Sequence, residues 1–143
     1  MHAQFDILRN MHIDQLQAAL PEYFAPWVQA LHLKVESSEA SQVSLRLPFS
    51  QELCRFGGMI CGQSMMAAAD TAMVLALMQH FGEFRPCTTV QMNTSFLKPL
   101  SAQDGLITAS LIRAGKNLAF GEIDIRGSDG KSVCRATATY ALL

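Results

Sequence analysis

The sequence predicts an α+β fold in which a curved antiparallel sheet wraps around one long central helix, preceded by short N-terminal helical turns. Three observations lead there. From Gln63 to His80 the chain carries Met, Ala, Val and Leu on every side, which describes a helix buried all round. The segments after it alternate apolar and polar residues with period two and are separated by turn residues, which describes antiparallel strands. A lone apolar helix needs a sheet to cover it. The length, 143 residues, suits one domain covering the whole chain.

Each element has its own justification. From His12 to Ala30 the chain reads as one or two short helices. Leu16, Ala19 and Leu20 share one face, and Pro21 starts a second turn with Phe24, Trp27, Val28 and Leu31 at helical spacing. Val43, Leu45 and Leu47 alternate with Gln42, Ser44 and Arg46, so this is a half-buried strand. The residues around His32 to Glu36 offer it a hairpin partner. Gln51 to Gly62 is irregular and rich in glycine. Gly82 stops the long helix.

Of the later strands, Thr88 to Lys98 places Val90, Met92 and Phe96 on one face. Gly105 to Ala114 does the same with Ile107, Ala109 and Leu111. Asn117 to Arg126 begins with Leu118 and Phe120 inward and then swaps to Ile123 and Ile125, which predicts a bulge at Gly121. Ser132 to Leu142 faces inward with Cys134, Ala136, Ala138, Tyr140 and Leu142. Asp104-Gly105, Gly115 and Asp129-Gly130 supply turns. The small Ala109, Ala136 and Ala138 let the helix lie close to the sheet.

Composition excludes several classes. Half of the residues are apolar, 16% are charged and the net charge is −1, so no general field draws the chain to nucleic acid or an anionic membrane. The longest apolar stretch, Met65 to Met78, is interrupted by Asp70 and Thr71 and is shorter than a membrane span. Met1 to Asn10 lacks the basic and apolar regions of a signal peptide. Cys54, Cys61, Cys87 and Cys134 form no C-x-x-C pair and have no histidine at finger spacing, so no metal site is expected. Four reduced thiols fit a cytoplasmic protein.

Asp70 is the main chemical signal. An ionised carboxylate inside an apolar helix is costly unless it is paired or hydrogen-bonded. It is either a structural acid tied to a neighbouring strand or a functional one. Gly62 is the second signal. The amides at a helix N-terminus can hold a developing oxyanion, and glycine allows close approach of a substrate; a plain glycine cap is the alternative. Lys98, Arg113 and Lys116 sit near strand ends, where they form either a phosphate patch or ordinary solvated surface. Gly115-Lys116-Asn117 adds backbone donors there. Met65, Met66, Met73 and Met78 suggest an adaptable apolar pocket or simple core filling, with Phe56 and Phe81 as aromatic walls.

The run Cys61-Gly62-Gln63, followed by Asp70-Thr71-Ala72, resembles the helix motif of the PaaI-like branch of hotdog-fold acyl-CoA thioesterases, in the 4-hydroxybenzoyl-CoA thioesterase superfamily. The strand Thr88 to Pro99, the turn Arg113 to Glu122 and the final Ala136 to Tyr140 are similar to that family's following segments, so the resemblance spans roughly residues 24 to 142. It implies that Asp70 is general base or nucleophile, that the Gly62 N–H polarises a thioester carbonyl, and that the Thr89 hydroxyl assists the acid or water. Cys61, Gln63, Arg55, Lys98, Arg113, Lys116 and Asn117 would contact the substrate.

Three positions depart from the family pattern. Cys61 stands for the usual His, Gln63 for the second Gly, and Arg55 where Asn or Gln is frequent. The rival register at Gly57-Gly58 puts Met65 where the acid belongs. A Cys61 nucleophile would want a histidine base, and His2, His12, His32 and His80 form no motif for one.

The resemblance also implies an acyl-CoA substrate, with coenzyme A part of that substrate and no separate cofactor. It implies a homodimer that shares its sites between chains and associates further to a homotetramer. A non-catalytic acyl-CoA-binding protein and a hotdog dehydratase are the alternatives; the dehydratase needs a His–acid pair.

Overall fold

The computed structural model describes residues 11–143; Met1 to Asn10, on which the signal-peptide expectation falls, lie outside the described residues. The element order is α1 (Ile13–Tyr23), a 3₁₀ turn (Pro26–Leu31), β1 (Lys34–Glu39), β2 (Gln42–Leu47), a short 3₁₀ turn (Gln51–Leu53), β3 (Cys54–Arg55), β4 (Met59–Ile60), α2 (Gly62–Phe81), β5 (Cys87–Phe96), β6 (Gly105–Ala114), β7 (Leu118–Arg126) and β8 (Ser132–Leu142). Six strands form one antiparallel sheet in the order β1-β2-β6-β7-β8-β5, while β3 and β4 pair separately. No helix among the described residues is long and apolar enough to cross a membrane.

The long helix α2 is the one expected. Most of it between Ser64 and Gln79 is buried, with Met66 exposed and Ala67, Asp70 and Val74 half-buried, and Gly82 ends it in the left-handed region at φ 77°. Sheet and helix bury a common core that includes Leu45, Met73, Leu75, Ile107, Ile123 and Tyr140. Ala109, Ala136 and Ala138 lie in this core. The first helix differs from its expectation. Pro21 does not start a second helix but sits in the last turn of α1, which runs on to Tyr23; the second turn begins at Pro26, where proline suits a helix start. Of the residues assigned inward there, Val28 and Leu31 are buried, but Trp27 is exposed.

The β7 expectation is corrected more sharply. Ala119, Gly121, Ile123 and Ile125 all face inward in unbroken alternation, and Leu118 and Phe120 face out. The irregularity lies on the partner strand, between Leu111 and Arg113. Gly121 is glycine because Met73 of α2 presses onto it: a Cβ there would stand 2.1 Å from the Met73 Sδ. Gly121→Ala should therefore destabilise the fold by about 1–3 kcal/mol, the usual cost of overpacking. In a chemical-denaturation cycle with Met73→Ala the double variant should lose less than the sum of the two single losses, because the clash disappears with the methionine. Strict additivity would place the strain elsewhere.

β5 is one of the two edge strands, β1 being the other, and it connects to β6 by a crossover in which the fully buried Leu100 anchors the loop. Its pairing with β8 shifts register between Thr89 and Gln91, so Val90 is bulged. Met92, Thr94 and Phe96 oppose the inward-facing Ala138, Ala136 and Cys134, and they share that face. Without a bulge the next inward residue would be Val90. With it, Thr89 stands opposite Tyr140 and takes the inward place. Val90, expected on the inner face, is 59% exposed, and Phe96 is also exposed, because no described residue covers this edge.

Candidate active site

Asp70 lies two turns into α2 and is half-buried. Two strands converge on its carboxylate. The Thr89 hydroxyl of β5 donates to Oδ1 at 3.0 Å, and the Tyr140 hydroxyl of β8 donates to the same oxygen at 2.8 Å. The Val90 bulge makes the first bond possible, since it turns Thr89 toward the helix. Oδ2 has no hydrogen bond among the described residues. Nor is it a buried unsatisfied atom, a condition met among them by the Thr94 Oγ1 alone. Asp70 thus has one oxygen held by the sheet and one reaching solvent.

The surroundings of that carboxylate keep its neighbours protonated. Burial, then the Asp70 charge and its hydrogen bond, push the Tyr140 phenol far above the usual tyrosine range. Burial and the Asp70 charge also raise the Cys87 thiol. Tyr140 and Cys87 therefore stand as neutral groups at physiological pH, one of them a hydrogen-bond donor to the acid. Sequence reasoning assigned Tyr140 to the core and missed its contact. The available signal was that it is the only phenol on an inward face, and a buried phenol needs a partner.

Gly62 is the first residue of α2, and Cys61 is its N-cap. The Ser64 and Met65 amides both return to the Cys61 carbonyl. The amides of Gly62 and Gln63 carry no hydrogen bond among the described residues and remain as donors. The Cys61 Sγ lies 3.1 Å from the Ser64 Oγ, a local contact at the helix start. The Phe96 ring covers Gly62 so closely that a Cβ there would meet it at 3.2 Å. Beside this helix start opens a cleft of about 300 Å³ lined by Met59, Ile60, Met65, Phe96, Leu97 and Pro99, with Arg55, Gly62 and Lys98.

The predicted substrate contacts separate into two groups. Arg55 and Lys98 share the cleft with Gly62. Arg113, Lys116 and Asn117 lie at the β6–β7 hairpin, where Asn117 accepts from the Leu142 amide and Lys116 accepts from the Arg85 guanidinium. The Lys98 amide instead bonds to Val133, at the other end of β8. At roughly 3.3 Å per residue the two groups are on the order of 30 Å apart along that strand, so one chain does not unite them. The helix methionines also divide: Met65 lines the cleft, Met73 and Met78 fill the core, and Met66 is exposed on the flank. Phe56 is 97% exposed at a hairpin tip and Phe81 packs under Arg85, so the aromatic wall of the cleft is Phe96.

One flank of α2, carrying Gln63, Met66, Ala67, Asp70 and Val74, is left open or half-open next to the exposed edge β5. Asp70 and Gly62 both lie on this side of the helix, Gly62 half-buried under the Phe96 ring. Within one chain they are far apart, ~12 Å along the helix axis at 1.5 Å per residue.

Comparison with known proteins agrees with this architecture. A Thermoplasma acidophilum protein that carries a provisional esterase name is 24% identical over 114 residues, covering 80% of this chain and 86% of its own. A thioesterase from Haemophilus influenzae superposes with a TM-score of 0.83 at 20% identity, covering 94% of this chain and 92% of its own. The E. coli PaaI protein from the phenylacetic acid degradation operon superposes at 0.79 with 18% identity, covering 90% and 91%. These likenesses establish the hotdog fold. The sequence model of the thioesterase superfamily matches residues 56–134, more than half of the chain and the stretch that holds Gly62, Asp70 and Thr89, so the chain belongs to the thioesterase superfamily.

Proposed function

We propose that this thioesterase-superfamily chain hydrolyses acyl-CoA thioesters with Asp70 as its acid–base or nucleophilic carboxylate. The observation that carries the reading is the Asp70 carboxylate itself: half-buried in an apolar helix, held through Oδ1 by two hydroxyls, with Oδ2 left toward solvent. As a general base, Oδ2 takes a proton from water while that water adds to the thioester carbon. As a nucleophile, Oδ2 adds to the carbon directly and water then cleaves the mixed anhydride. In both routes the carbonyl oxygen becomes an oxyanion, which the free Gly62 amide stabilises, and the C–S bond breaks to release the thiol. No cofactor enters either route.

Carboxylate and amide must both lie about 3 Å from the reacting group, yet the helix holds them ~12 Å apart. A second copy resolves the conflict by presenting its Gly62 to the first copy's Asp70. The exposed edge β5 and the open flank of α2 are the surfaces such a homodimer would bury. Pairing of dimers into a tetramer belongs to the same reading. Arg55 and Lys98 of one chain then stand near the other chain's Arg113 and Lys116 end, giving the nucleotide phosphates cationic contacts.

The test is thiol release from a panel of acyl-CoAs with short, medium, long and aryl acyl groups. Turnover with at least one group is expected. Saturable binding across the panel without thiol release would replace this reading with that of a non-catalytic acyl-CoA-binding protein.

A further inference from the structure

We infer that Tyr140 is a positioning residue for the hydrolysis, fixing the Asp70 carboxylate through Oδ1 so that Oδ2 is presented to water or thioester. The inference rests on the reading of Asp70 as the reactive acid and adds a residue that the sequence motif does not contain. Rotation of a carboxylate about χ2 is soft and nearly two-fold, so a single hydrogen bond does not decide which oxygen faces the substrate. Thr89 alone would be a weak clamp, being exposed on the edge strand. Tyr140 is a strong one. Its ring is fully buried on β8, the strand beside the edge, and its hydroxyl reaches Oδ1 at 2.8 Å, with the Asp70 backbone carbonyl 3.5 Å away.

The surrounding chemistry suits a permanent donor. Tyr140 is flanked by Ala119 on β7 and Thr89 on β5, and its hydroxyl faces Asp70 on α2. Among the described residues, the other titratable group beside this pair is the Cys87 thiol at the start of β5, which burial keeps protonated. No cation in the described hydrogen bonds or ion pairs competes for Asp70. The phenol therefore stays a neutral hydroxyl whose proton points at the carboxylate. Asp70 is the base of this hydrogen-bonded pair.

Tyr140→Phe removes the donor and keeps the ring. Its kcat should fall roughly 10- to 100-fold, the worth of a hydrogen bond to a charged group, while KM stays within about twofold. In an Asp70→Asn background the same change should cost little more, because Tyr140 acts through Asp70. A 4-aminophenylalanine at position 140, with a weaker donor on the same ring, should fall between Tyr and Phe. It also carries the test if the Phe variant does not fold. Wild-type kcat in a folded donor variant, with Asp70→Asn inactive, would overturn the role of Tyr140 and leave Asp70 standing. An equal loss in both backgrounds would overturn it too. Normal turnover by Asp70→Asn would instead remove the reading on which the inference rests.

Discussion

Asp70→Asn should lower thiol release from acyl-CoA by roughly 10²–10⁴, the range for loss of a positioned acid–base group, and leave a folded protein. The amide has the shape of the carboxylate. Its oxygen can still accept from Tyr140 and Thr89, the two bonds that tie α2 to β8 and β5. What disappears is the lone pair and charge at Oδ2. Stability should hold or rise slightly, since a partly desolvated charge has been removed. A purely structural Asp70 leads to the opposite pattern: a lower melting midpoint with turnover per folded molecule retained. Thermal melting and thiol release on one preparation separate the two.

Gly62→Pro should be nearly as damaging, at roughly 10²–10³ in kcat, the cost of removing one oxyanion donor. Proline is well placed to make this change cleanly. Position 62 is the first of the helix, where proline is tolerated, and Cys61 already has the extended backbone that a following proline requires, φ −69° and ψ 151°. The added Cβ crowds the Phe96 ring, so Gly62→Ala serves as the control, with the same crowding and the N–H intact. The alanine variant should lose much less kcat. Equal losses in the two variants would assign the effect to Phe96 and clear the amide.

Much of this arrangement is legible in the sequence because it rests on periodicity. The all-round apolar character from Gln63 to His80 forces a buried helix, and the alternation through Ser132 to Leu142 fixes the inward face of β8. Asp70 stands out because burial of a carboxylate is costly wherever it occurs. Several of the misreadings share one cause: they depend on neighbours distant in sequence. Nothing local marks the bulge at Val90, which has no glycine, yet that bulge exchanges Val90 for Thr89 on the inner face. Gly121 looks like a bulge and is a gap cut for Met73. Tyr140 looks like core until the helix brings Asp70 beneath it. The edge position of β5, which leaves Val90 and Phe96 exposed, follows from a crossover that no pattern within β5 announces.

Construction of each site from two chains is tested most directly by mixing the two inactive variants, Asp70→Asn and Gly62→Pro, under conditions that exchange subunits. In a mixed two-fold dimer one site joins both lesions, and the other joins the intact Asp70 of one chain to the intact Gly62 of its partner. Random exchange between equal amounts should restore about a quarter of wild-type turnover, since half of the dimers are mixed and each has one good site. Mass spectrometry of the intact assembly with differently tagged chains counts the mixed dimers in the same sample. Mixed dimers present in the expected share, with no more activity than the separate variants, would contradict a shared site.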